Sequence, residues 1–191
     1  MGSTTTRLFA GQRLESDLEA AVQRAAANVA QMDADEVAPE RLEGLVERFK
    51  CQPLRLLREQ AQFDVHDGGT TNEVRLVIPF EGNARLFGLA PMGLVGPQNV
   101  TAKVVDDDGR WFRVEHTITF TNTFPAGTPP EDVRRWGKDQ ADYVETVLGI
   151  IQKTIERHNS TLPSQIGSWM DARRSTLSSA DSLKQQLGEG I

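Results

Sequence analysis

Cysteine is almost absent: Cys51 is the single one in 191 residues. That excludes an intramolecular disulfide framework and suits a reducing cytoplasm. No apolar run approaches the roughly 20 residues that a membrane helix needs, and the N-terminus lacks the apolar core of a signal peptide. Basic residues are also in deficit. Lys and Arg number 21 against 27 Asp and Glu, for a net charge of −6. This balance argues against a general nucleic-acid binder, which needs cations for phosphates, and against a protein held on anionic lipid. Hydrophobic residues make up only 38% of the chain, so one compact centre with partly exposed helices is expected.

Catalytic spacings are missing as well. There is no Gly-x-Ser-x-Gly elbow. The glycine-rich stretch Gly88 to Gly96 lacks the Lys-Ser/Thr ending of a phosphate loop. Asp64-Val65-His66-Asp67 and Asp106-Asp107-Asp108 bring oxygens and an imidazole together, but zinc and calcium sites need longer, defined spacings. Asp at such turns has a backbone reason. Of the three histidines, His116 shares strand parity with apolar neighbours and reads as a packed residue, and Cys51 reads as a packed thiol. No metal and no cofactor is assigned.

What is present is alternation. In Glu73 to Phe80, the apolar residues Val74, Leu76, Ile78 and Phe80 occupy every second position, so an extended chain puts them on one face. Val100 to Val104 and Phe112 to Phe120 repeat the pattern. Gly68 to Asn72 reads as a hairpin connection into Glu73, and Asp106 to Gly109 as the turn of a second hairpin. Pro79 within its strand calls for an edge or a bulge.

Helical patterns flank these strands. Residues 1–14 read as a flexible lead-in; Met1-Gly2-Ser3 with Thr4 to Thr6 fits a myristoylation pattern but reads more plainly as a polar tail. Ser16-Asp17-Leu18-Glu19 is a capping box. It opens a helix whose Leu18, Val22, Ala25, Val29 and Met32 form a heptad seam. That seam suits either packing within the domain or self-association. A second helix is expected from Pro39 to Phe49. Thr128-Pro129-Pro130-Glu131 starts a long helix ending near His158-Asn159, and Pro163 opens a last one with Leu162, Ile166, Met170, Leu177, Ala180, Leu183 and Leu187 inward.

The expectation is therefore an α+β fold: an antiparallel meander of three to five strands covered on one face by helices, with a long C-terminal helical pair. The divisions are a lead-in at 1–14, a helical segment at 15–52 and an α+β domain at 53–191.

Two phrases carry a resemblance. One is Ile78-Pro79-Phe80-Glu81-Gly82 with Leu86-Phe87 and Ala90-Pro91. The other is His158-Asn159-Ser160-Thr161-Leu162-Pro163 with Ala172-Arg173-Arg174 and Leu187-Gly188. Over about residues 54–191 the chain resembles an uncharacterised module of bacterial proteins associated with TIR-type and other anti-phage defence effectors. The resemblance implies a cytoplasmic sensing or assembly role, with an effector domain following, so that this chain is expected to be a fragment. It brings no catalytic residue.

The opposite face of the sheet carries Arg75, Val77, Trp111, Arg113, Glu115, Thr117 and Thr119. Arg75, Trp111 and Arg113 are the candidate ligand-binding residues, for a nucleotide-like anion; the plainer account is a solvated face with Arg–Glu pairs. The leading functional expectation is a non-enzymatic interaction, sensor or assembly module that self-associates or docks to a partner protein. A small-ligand receptor is the alternative, and an enzyme with an unrecognised site the third.

Overall fold

The computed structural model describes residues 4–92, 100–107 and 115–188. Its strands are β1 (Thr4–Arg7), β2 (Arg55–Leu56), β3 (Gln62–Asp67), β4 (Thr71–Glu81), β5 (Thr101–Asp107) and β6 (Glu115–Pro125). Its helices are α1 (Leu14–Gln31), α2 (Leu42–Phe49) and α3 (Pro130–Gly188). The α+β class stands, and two compact units emerge. One comprises residues 1–15 and 52–153, the other residues 16–51 and 154–191. The turn at Asp108-Gly109 and the loop at 93–99 lie outside the described residues.

The first unit is the sheet, in the order β1-β5-β6-β4, with β3 and the short β2 both on the far side of β4. All pairs are antiparallel. The order departs from a simple meander, because β6 lies between β4 and β5. As the alternation requires, Val74, Leu76, Ile78 and Phe80 are buried, opposite Ile118 and Phe120 of β6. The first part of α3 covers this face. Trp136 meets Phe124 edge-on at 5.6 Å, and Gly137 lies so close that an added Cβ would sit 2.5 Å from the Phe63 ring. Phe80, Phe87, Phe9 and Tyr143 form an aromatic chain with centroid spacings of 5.1–6.3 Å.

Residues 1–14 were expected as a flexible lead-in; from Thr4 onward they are structural. Thr4–Arg7 pairs with β5, and Leu8, Phe9 and Leu14 are fully buried. Phe9 adopts φ 55°, and its amide donates to the Phe87 carbonyl at 2.7 Å.

Pro79 explains the break between β2 and β3. β3 pairs with β4 up to Val77, and β2 takes over from Phe80. The Pro79 carbonyl accepts from Leu57 at 2.8 Å, so its missing donor faces the gap between the two short strands.

The second unit is helical. Val29 of α1, Met32 and Val37 from the segment after it, Leu45 and Val46 of α2, and Leu162, Ile166 and Met170 of α3 make one buried cluster. The expected C-terminal pair is a single helix of 59 residues with Pro163 inside it. Proline withholds an amide there. The carbonyl deprived is that of Asn159; the nearby hydroxyls back-bond to other carbonyls, Ser160 to Arg157 at 2.8 Å, Thr161 to His158 at 2.9 Å and Ser164 to Thr161 at 2.9 Å. Asn159, read as part of a connecting loop, instead clasps the Cys51 peptide. Its Oδ1 accepts from the Cys51 amide at 3.0 Å and its Nδ2 donates to the Cys51 carbonyl at 2.9 Å. Of the expected inward stripe, Leu162, Ile166 and Met170 are buried and Leu177 packs on the cluster, but beyond it the stripe is corrected: Ala180, Leu183 and Leu187 are exposed.

Candidate functional site

The uncovered face of the sheet carries polar side chains at every second position. Strand register sets Asp64 against Arg75, Arg75 against Thr121, Val77 against Thr119, and Thr119 against Lys103. In β6 the residues Thr117, Thr119, Thr121 and Thr123 put hydroxyls in one line. Thr117, Thr119 and Thr121, with Asp64, Glu73, Arg75, Val77, Thr101 and Lys103, line a hollow of about 550 Å³. Its character is mixed in charge: two carboxylates, a guanidinium and an ammonium around a floor of hydroxyls.

Of the three candidate ligand-binding residues, Arg75 lines this hollow, and Trp111 and Arg113 lie outside the described residues. The Arg75 guanidinium is already engaged, Nη2 at 2.6 Å and Nε at 2.8 Å from Glu73 Oε1. Lys103 pairs with no carboxylate among the described residues and is the cation the sequence reading passed over. Its signal was the parity of β5, in which Thr101 and Lys103 share a face opposite Ala102.

The same sheet ends in an open margin at β3. All six residues of β3 are exposed, and Phe63 and Val65 keep 43% and 56% of their surface in solvent. Gly68 donates to the Thr71 carbonyl at 2.8 Å, which sets the phase of the ladder. Residues 62, 64 and 66 then direct their amide and carbonyl groups to β4, and Phe63, Val65 and Asp67 direct theirs outward. Unpaired strand margins with apolar side chains are templates for another strand. Beside Phe63 runs a groove of about 190 Å³, floored by Leu76, Ile78 and Ala141 and flanked by Arg134 and Lys138. On the opposite face Asp64 and His66 bond one another at 3.0 Å.

The five residues expected as a self-association seam are placed elsewhere than on a free surface. Leu18, Ala25, Val29 and Met32 are buried, and Val22 packs against the helical cluster. A heptad stripe looks the same whether its partner is another chain or the rest of its own, and here the chain itself covers it.

Other reactive groups lie apart from the hollow. Burial raises the pKa of the Tyr143 hydroxyl and lowers that of the His158 imidazole, the latter against a raising contact from the Phe49 backbone. Arg58 is held protonated chiefly by its hydrogen bond to Asp142, at 2.6 Å, with Glu145 at 2.9 Å. Among the described residues no three His, Cys, Asp or Glu side chains converge as metal ligands. No helix among them is long and apolar enough to cross a membrane.

No known protein family, curated protein or solved structure matches the chain at a significant level.

Proposed function

We propose that this protein is a non-enzymatic assembly module of a bacterial cytoplasmic system, in the anti-phage defence setting that its resemblance suggests. It acts by joining another protein chain, either a copy of itself or a partner. The observation that carries this reading is the β3 margin, where outward backbone groups coincide with exposed Phe63 and Val65. Light scattering over a concentration series tests it. The expected result is a particle mass that climbs with concentration, or that climbs on adding a partner chain.

A second reading, a small-ligand receptor, is favoured by the hollow of about 550 Å³ and by Lys103, which meets no carboxylate among the described residues. Thermal shift against nucleotides and other polar anions tests it. A ligand at 100 times its dissociation constant stabilises the protein by about 2.7 kcal/mol, and Lys103→Met should abolish the shift. A clear shift from a strictly monomeric protein would replace the assembly reading with this one.

A further inference from the structure

We infer that the β3 margin is built to meet a second copy of this chain, in a two-fold antiparallel pairing centred on Val65. The inference rests on the assembly reading and names its occupant.

Three observations on one strand carry it. First, the outward groups are those of Phe63, Val65 and Asp67, evenly placed about Val65. An antiparallel copy therefore sets Val65 against its own counterpart, and Phe63 against Asp67 of the other chain, with amides and carbonyls exchanged at each pair.

Second, the residues between them are complementary as hydrogen-bond partners under the same operation. Asp64 meets His66 of the other copy, and His66 meets Asp64. These are the close, non-hydrogen-bonded positions, where facing Cα atoms lie about 4.5 Å apart. The carboxylate and imidazole that now bond within one strand at 3.0 Å are thus placed to bond across two.

Third, the Asp67 carboxylate of the other copy falls opposite Phe63, on the covered face. Phe63 lines the groove that holds Arg134 and Lys138, two exposed cations with no carboxylate partner among the described residues. The apolar surface of Phe63 and Val65 is covered in the same step. A partner strand of arbitrary sequence would satisfy the backbone; a copy of Phe63-Asp64-Val65-His66-Asp67 satisfies the side chains on both faces as well.

Cross-linking fixes the register. In a background with Cys51→Ser, Val65→Cys places two thiols at directly facing positions, within the Cα span a disulfide tolerates. Phe63→Cys places its pair about 13 Å apart, four residues out of step. Mild oxidation should join the first into dimers and leave the second as monomers.

Val65→Pro removes a donor that faces away from β4, so the parent sheet stays intact. It should weaken self-association at least about tenfold. His66→Asp sets like charges face to face and should weaken it about threefold to tenfold, whereas the exchange Asp64→His with His66→Asp should restore it.

Self-association that survives Val65→Pro, with equal cross-linking from both cysteine positions, overturns this inference and leaves the assembly reading standing through another surface. A mass fixed at the monomer up to millimolar concentration overturns the inference as well. In that case the assembly reading stands only if a different protein raises the mass.

Discussion

In the sheet unit, the inward residues Val74, Leu76, Ile78 and Phe80 come from a single strand. In the helical unit, Val29, Met32, Leu45, Val46, Leu162, Ile166 and Met170 come from three separated segments. The first core is announced by local alternation. The second exists only once distant pieces of chain meet. The strand at the centre of the first core can thus be read from a few consecutive residues, and the helical core needs the tertiary structure.

Paired core truncations test that contrast most severely. Ile78→Ala and Ile166→Ala each empty a fully buried position and should cost about 2–5 kcal/mol. Trp136 lies in the sheet unit and Trp169 packs on the helical cluster, so single-tryptophan variants report the two cores apart. Ile78→Ala should lower the denaturation midpoint read by Trp136 more, and Ile166→Ala that read by Trp169. Equal displacement of both signals would show one cooperative body and erase the contrast.

Gly82→Ala should follow at about 2–4 kcal/mol, the cost of a left-handed residue gaining a side chain and of displacing backbone. Gly82 holds φ 98°, and an added Cβ would lie 2.0 Å from the Pro53 carbonyl oxygen. Chemical denaturation followed at Trp136 measures it.

Asn159→Ala should cost about 1–3 kcal/mol, since it removes two part-buried hydrogen bonds to the amide and carbonyl of Cys51. The loss belongs to the Trp169 signal.

The smallest effect is set by pH. His158 is held below the usual histidine value of 6.5, first by burial. The unfolded chain therefore takes up its proton before the folded one does. Stability from this group is full above pH 6.5 and falls as pH drops from there through the lowered folded value. His158→Gln should flatten that slope in pH-dependent melts, with Trp169 as reporter.

Legibility followed the same contrast. The strand at Val74 to Phe80, its hairpin from β3 and the polar parity of Arg75 and Thr119 were readable from every-second-residue spacing. β1 was not, because Thr4-Thr5-Thr6-Arg7 has no apolar alternation and gains its place by backbone pairing with β5. A run of β-branched residues ahead of Leu8-Phe9 was the available hint. Pro163 reads as a helix break, but only the Asn159 carbonyl loses its helical donor there, and the helix runs on. The candidate margin at β3 was the hardest to foresee. Phe63 and Val65 look like ordinary core residues until the strand order leaves them at the rim.

Pro79 would also limit how far the proposed association can go. Were β2 and β3 one continuous strand, the rim beside β4 would be a long unguarded ribbon able to recruit chain after chain. By forcing the neighbour to change at that point, a single imino acid trims the rim to the length of one short partner strand. It favours a closed pair of molecules over a growing fibre.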